Sequence, residues 1–98
     1  MGFKEVKRAL VTALLEERYR CVARAEINTK NLLHAGEIEA ENVALIVMAC
    51  RGTDHSFFPH HRAPDIEVHV LVTAGWYIKF FFIESQAFLI SVHRTGKP

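Results

Sequence analysis

The sequence contains few of the residues that would place it in a specialised structural class. Of its 98 residues only two are cysteines, Cys21 and Cys50. They form neither a CxxC pair nor a zinc-binding spacing, so neither a disulfide framework nor a zinc finger is predicted. The chain has no apolar run of about 18 residues, which a transmembrane helix needs, and no signal-peptide or lipidation pattern. We therefore expect a cytoplasmic protein that does not insert into a membrane.

An excess of one charge is also lacking. Twelve basic and eleven acidic residues leave a formal net charge of +1, so the polybasic surface of a general nucleic-acid-binding protein is not predicted. The basic residues are concentrated in residues 1–24, and five of the six histidines follow residue 51. With 50% hydrophobic and 23% charged residues, a chain of this length is expected to form a single domain spanning residues 1–98.

Helical patterns occupy the N-terminal half. Apolar residues recur at helical spacing in residues 3–17. A second helix is predicted from about residue 25 to residue 35, ending at Gly36, and a third over residues 37–50. Residues 51–65 contain two prolines and several turn-forming residues, which predict a loop.

Three strands are predicted in the C-terminal half, at residues 66–73, 76–83 and 87–94. The connections between them are two or three residues long, as in antiparallel hairpins. The predicted fold is therefore α+β, with the N-terminal helices packed on one face of a three-stranded, or slightly larger, antiparallel sheet.

Side chains alternate between the two faces of a strand, which predicts the composition of each sheet face. One face is predicted to be apolar and to pack against the helices, with Val68, Val70, Val72, Trp76, Ile78, Phe80, Phe82, Phe88, Ile90 and Val92. The other face then carries ionisable side chains, those of His69, Tyr77, Lys79 and His93, together with Ser91. Histidine and tyrosine are unusual on an ordinary hydrated face, so this face is predicted to bind an anion, the alternative being a merely solvated one.

Two segments of these strands resemble a known toxin superfamily. Trp76-Tyr77-Ile78-Lys79 and Ser91-Val92-His93 are similar to the Tyr-x-Lys and terminal Ser-Phe-Lys or Ser-Phe-His segments of RelE-like bacterial toxins, in particular the MqsR-type mRNA interferases. The resemblance covers residues 66–94 and extends to the N-terminal helices in layout. It departs from the pattern at His93, where a lysine is usual, and in lacking the glutamine that precedes the first strand.

The resemblance implies a RelE-like fold and the toxin of a type II toxin–antitoxin system. Such a protein cleaves mRNA, which can be ribosome-bound, needs neither a metal nor another cofactor, and is held inactive by an antitoxin protein. The cleavage requires a base for the ribose 2′-hydroxyl, an acid for the 5′-oxygen and positive charge at the phosphate. The catalytic residues implied here are His69, Tyr77, Lys79 and His93. The implied RNA-binding residues are His60, His61, Arg62 and Arg94.

Two other functions remain open from the residues alone. His55, His60, His61 and His69, with Asp54 or Asp65, contain enough ligands for a zinc ion, although their spacing matches no zinc motif. A non-enzymatic interaction or dimerisation domain is the second alternative. In that case Phe57, Phe58 and Phe81 would form the interface, because exposed apolar patches often do.

Overall fold

The structure, a computed structural model, describes residues 1–22 and 30–95. Within these residues it has two α-helices, α1 (Phe3–Leu15) and α2 (Ala40–Ala49), a short 3-10 helix (Gly52–Asp54) and five strands. The strands are β1 (Tyr19–Cys21), β2 (His55–Pro59), β3 (Glu67–Thr73), β4 (Trp76–Ile83) and β5 (Gln86–Arg94). The α+β class is confirmed, and the three predicted strands are β3, β4 and β5.

The sheet is wider than predicted and is mixed. Its strand order is β1-β5-β4-β3-β2, with β1 parallel to β5 and the remaining neighbours antiparallel. Strand β2 lies where a loop was predicted, and it pairs with β3 from His55 opposite Leu71 to Pro59 opposite Glu67. It is the edge strand next to β3, a position that tolerates proline because one side of the strand needs no ladder hydrogen bond.

The core lies between the two helices and one face of the sheet. Both helices contribute apolar stripes to it, because their buried residues recur at helical spacing. The fully buried members from the helices are Val6, Leu10, Ala13, Leu14, Val43, Ala44 and Val47, and those from the sheet are Leu71, Ile78, Phe80, Ala87, Leu89 and Val92. Phe80 is the largest of these side chains.

Of the helix predicted from residue 25 to residue 35, residues 25–29 lie outside the described residues. At its described end, Asn31 instead forms an isolated parallel bridge with Val92, and residues 32–36 form a turn. The buried amide of Asn31 donates to the Leu89 carbonyl at 3.0 Å and accepts the His34 N–H at 3.1 Å. The bond to Leu89 attaches the segment to β5.

The predicted faces of β3 are wrong. His69 pairs with Phe80 and Leu71 pairs with Ile78, so His69 and Leu71 face the helices, and the valines of β3 face away. Four consecutive residues, 68–71, are buried, so the side chains on both faces of this part of β3 are shielded from solvent. An alternating pattern cannot show which face of such a strand meets the helices, and a shift of one residue in the pairing register exchanges the two faces.

The predicted faces of β5 are also partly wrong, because of a β-bulge. Lys79 pairs with Ser91 whereas Phe80 pairs with Leu89, so β5 has one extra residue at this point. The extra residue changes the alternation. Leu89 therefore enters the core in place of its neighbour Phe88, while Val92 faces the helices as predicted.

Candidate active site on the distal face of the sheet

The sheet face turned away from the helices, here called the distal face, carries two of the predicted catalytic residues side by side. Tyr77 and His93 are paired across β4 and β5. Their rings stack with centroids 5.0 Å apart and an angle of 17° between the ring planes. Nδ1 of His93 lies 2.6 Å from the Arg94 carbonyl oxygen. Because a carbonyl only accepts hydrogen bonds, Nδ1 is the donor, and the neutral ring keeps its lone pair on Nε2.

Lys79, the third predicted catalytic residue on this face, lies two residues further along β4. Its Nζ is 5.6 Å from the ring centroid of Phe58 on β2. Ser91, predicted for the same face, is buried at the bulge, with only 3% of its surface exposed. The distal face therefore combines a phenol and an ammonium group on β4 with an imidazole on the neighbouring strand β5.

The predicted RNA-binding loop residues approach the other end of this face. The His60 ring meets Phe81 edge-on, with centroids 5.3 Å apart, and His61 stacks on His60 at 5.3 Å. The Arg62 N–H donates to His60 Nδ1 at 3.1 Å. Phe81 is four residues from Tyr77, which corresponds to roughly 13 Å at about 3.3 Å per residue. Lys79 lies midway, so the loop and the Tyr77–His93 pair stand on opposite sides of it.

Two predicted site residues lie on the helix side instead. His69 faces the helices because of the register of β3, and its ring packs 5.5 Å from that of Phe80. Arg94 pairs with Trp76, and its guanidinium group lies 4.6 Å from the Trp76 ring centroid. The structure therefore does not bring His69 or Arg94 together with Tyr77, Lys79 and His93.

His69 forms a pair with His55 on the helix side. Nε2 of His55 and Nδ1 of His69 are 3.0 Å apart, and Nε2 of His69 is 3.6 Å from a carboxylate oxygen of Glu67. Burial and then the neighbouring His55 lower the pKa of His69 to about 4, although Glu67 acts in the opposite direction. Burial also lowers the pKa of His55. Both rings are therefore neutral at pH 7.

The zinc alternative is tested by the positions of its proposed ligands. The pair on the helix side is separated by the sheet from His60, which packs on the distal face against Phe81. In residues 1–22 and 30–95, no three histidine, cysteine, aspartate or glutamate side chains come together as a group that could hold a metal ion.

Two aromatic residues of the distal face were not identified from the sequence. Phe88 was predicted to face the helices, but it stacks on Phe81 with ring centroids 5.1 Å apart and nearly parallel planes. The sequence predicts a loop at Phe58, yet β2 presents this residue beside Lys79 with 43% of its surface exposed. No sequence signal marks the bulge that turns Phe88. The aromatic pair Phe57-Phe58 did favour a strand.

Comparison with known proteins adds no family to these observations. No family model matches the chain, and neither a curated protein nor a solved structure is significantly similar to it. Among the described residues, no helix is long and apolar enough to cross a membrane. The geometry of the distal face is therefore the basis for proposing a function.

Proposed function

We propose that this protein is a metal-independent endoribonuclease that cleaves mRNA, and that it acts as the toxin of a bacterial type II toxin–antitoxin system in the cytoplasm. The observation that carries the proposal is the stacked Tyr77–His93 pair with Lys79 beside it on one sheet face. The resemblance of residues 66–94 to the MqsR-type interferases supports it, and with it a RelE-like fold. His69 and Arg94 are not part of the proposed site, because they lie on the other face.

His93 is the proposed general base. Its Nδ1–H is engaged by the Arg94 carbonyl, which leaves the Nε2 lone pair to accept the proton of a ribose 2′-hydroxyl. The 2′-oxygen then forms a bond to phosphorus while the bond from phosphorus to the 5′-oxygen breaks. The products are a 2′,3′-cyclic phosphate and a free 5′-hydroxyl.

Tyr77 is proposed to protonate the leaving group, and Lys79 to stabilise the negative charge that develops at the phosphate. The Tyr77 hydroxyl, carried on the ring that stacks on His93, donates a proton to the leaving 5′-oxygen. The Lys79 ammonium group stabilises the additional negative charge at the phosphate oxygens in the transition state. His60, His61 and Arg62 would bind the RNA backbone beyond Lys79.

The proposal is tested by comparing RNA cleavage with thermal stability in matched variants. We expect His93→Ala to reduce cleavage by about 10²–10⁴-fold, as loss of a general base does. Tyr77→Phe should also reduce cleavage and leave the melting temperature nearly unchanged, because only a hydroxyl is lost. Lys79→Ala should reduce cleavage because charge stabilisation at the phosphate is lost. Its control is Lys4→Gln, which removes a lysine charge from the exposed surface of α1. Full activity of all three site variants would contradict the proposal, and EDTA should leave cleavage by the wild-type protein unchanged.

A non-enzymatic interaction domain is the second candidate function. It is favoured by the exposure of Phe57 (57%) and Phe58 (43%) on the edge strand β2. Edge strands present unpaired backbone groups that can pair with another chain. A protein that self-associates in sedimentation experiments and leaves RNA intact would support this function over the nuclease.

A further inference from the structure

The distal face carries a second stacked aromatic pair, which the proposed chemistry does not use. Phe81 on β4 and Phe88 on β5 stack with an interplanar angle of 4°, and both side chains are half-buried. Each ring has one side against the other ring. Phe81 also meets the ring of His60 edge-on, so a further ring would extend the stack from Phe88, whose neighbour across β1 and β5 is Arg20.

We infer that the Phe81–Phe88 pair stacks an unpaired base next to the phosphate bound by Lys79, and that the substrate is therefore single-stranded RNA. The inference rests on the proposed function, because it assigns a substrate class to the same site. Aromatic side chains bind bases without sequence preference, because every base has a π-face.

The spacing along β4 supports this arrangement. Lys79 lies two residues from Phe81 and two residues from Tyr77, roughly 6.6 Å in each direction at about 3.3 Å per residue. A phosphate at Lys79 is therefore flanked by aromatic pairs on both sides along the strand. One pair would contact the neighbouring base, and the other, Tyr77–His93, would act on the ribose and phosphate.

Charge also favours a nucleic acid over an apolar protein surface as the occupant of this face. The strand positions that face distally include the cations Lys79 and Arg20, and none of the paired positions on this face is an aspartate or glutamate. An apolar protein surface would bury these cations without a partner, which is costly. Phosphate groups supply the missing acceptors while the bases cover the aromatic rings.

The shape of the face favours single strands. In the described part of the chain, no helix projects beside these side chains on the distal face. The bases of a duplex, by contrast, offer only their edges in the grooves. Bases of single strands can be splayed out and stacked on aromatic side chains. Duplex RNA is therefore expected to bind more weakly than either of its strands.

Binding is tested with a short fluorescent RNA carrying 2′-O-methyl groups, which cannot be cleaved because the nucleophile is blocked. Anisotropy should show tight binding of the single strand and weaker binding after annealing to its complement. Phe88→Leu and Phe81→Leu keep apolar volume but remove the π-face, and each should weaken binding about 5- to 150-fold. Phe57→Leu, an exposed phenylalanine on the opposite face, is the matched control and should bind as the wild type does.

The outcomes separate this inference from the proposed function. Unchanged affinity in both Leu variants, or equal affinity for duplex and single strand, would overturn the inference. Tight single-strand binding by a wild-type protein that leaves unmodified RNA intact would overturn the nuclease and support the stack. If a Leu variant fails to fold, photo-cross-linking of the wild-type protein to 4-thiouridine RNA replaces it. Cross-links are expected in the peptide containing Phe88, and their confinement to the helices would refute the inference.

Discussion

At the scale of single residues, the protein places one histidine in surroundings that oppose its protonation. The His69 side chain is 2% exposed and is surrounded by the rings of Phe57, Phe80 and Phe82 at centroid distances of 5.5–6.2 Å. The titratable groups near it are His55 on β2, Glu67 on β3 and the N-terminal amine before α1. Only Glu67 favours the protonated form, and burial outweighs it.

This position predicts a stability that depends on pH. The pKa of His69 is about 4 in the folded protein against an ordinary value of 6.5, so the unfolded chain binds more protons between these two pH values. Stability is therefore full above pH 6.5 and falls as the pH is lowered toward 4, by up to about 3 kcal/mol from this residue. Urea unfolding of the wild type and of His69→Phe at pH 7.5 and pH 4.5 measures it. Equal losses in the two proteins would show that other groups cause the effect.

A second comparison at this scale distinguishes a residue of the core from a residue of the proposed site, both on β4. Phe80 has no exposed surface and lies in the core, so Phe80→Ala should destabilise the fold by about 3–5 kcal/mol through the cavity it leaves. Tyr77→Phe removes no packing atoms and should change stability little. Denaturant midpoints of the two variants check this. Comparable destabilisation by both would mean that the Tyr77 hydroxyl has a structural role.

At the scale of elements, the β3–β4 hairpin has an unfavourable residue in its turn. Ala74 and Gly75 both have positive φ, 51° and 80°, as a two-residue type I′ turn requires. Glycine adopts this conformation without cost, but for alanine it is strained. Asn-Gly is the preferred sequence for such turns.

We therefore expect Ala74→Asn to stabilise the protein by about 0.5–1 kcal/mol, because asparagine adopts the left-handed conformation at less cost than alanine. The melting temperature should rise by several degrees. Ala74→Val should instead lower the melting temperature, because a β-branched residue tolerates positive φ poorly. An unchanged or lower melting temperature for Ala74→Asn would contradict the turn geometry.

At the scale of the whole molecule, the low net charge limits the electrostatic share of the proposed RNA binding. If Lys79, Arg20 and Arg62 contact phosphates, the logarithm of the binding constant should fall with the logarithm of the salt concentration with a slope of about −2. Lys79→Met should reduce the magnitude of this slope by about 0.7. Lys4→Gln, which alters α1 and leaves the distal face unchanged, should leave the slope as it is. Anisotropy titrations at several salt concentrations measure all three.

The proposed antitoxin partner is also tested on the whole molecule. Co-expression of the protein with the product of a neighbouring small gene should yield one heteromeric peak on size-exclusion chromatography, and should suppress growth arrest and RNA cleavage. Two independent peaks with unaltered toxicity would count against that partner. The control is expression of His93→Ala alone, which should not arrest growth.

The sequence by itself determined the elements whose apolar pattern has one interpretation. The buried stripe of α1, the alternation of β4 and the short hairpin turns follow from local periodicity and turn chemistry. These suffice for the α+β class and for placing Tyr77 and Lys79 on the same face. The position of His93 beside Tyr77 also followed, because it lies on the regular part of β5 beyond the bulge.

Only the tertiary structure decided the faces of β3 and of the first half of β5, and with them the composition of the site. β3 is buried on both faces, so its alternation contains no information about which side meets the helices. The bulge at Lys79 depends on how β4 and β5 pair, and it turns Phe88 onto the distal face. His69 lies outside the predicted site, and Phe88 lies on the distal face, for the same physical reason. The direction of a strand side chain depends on pairing register, which is set by contacts between strands and not by the strand's own residues.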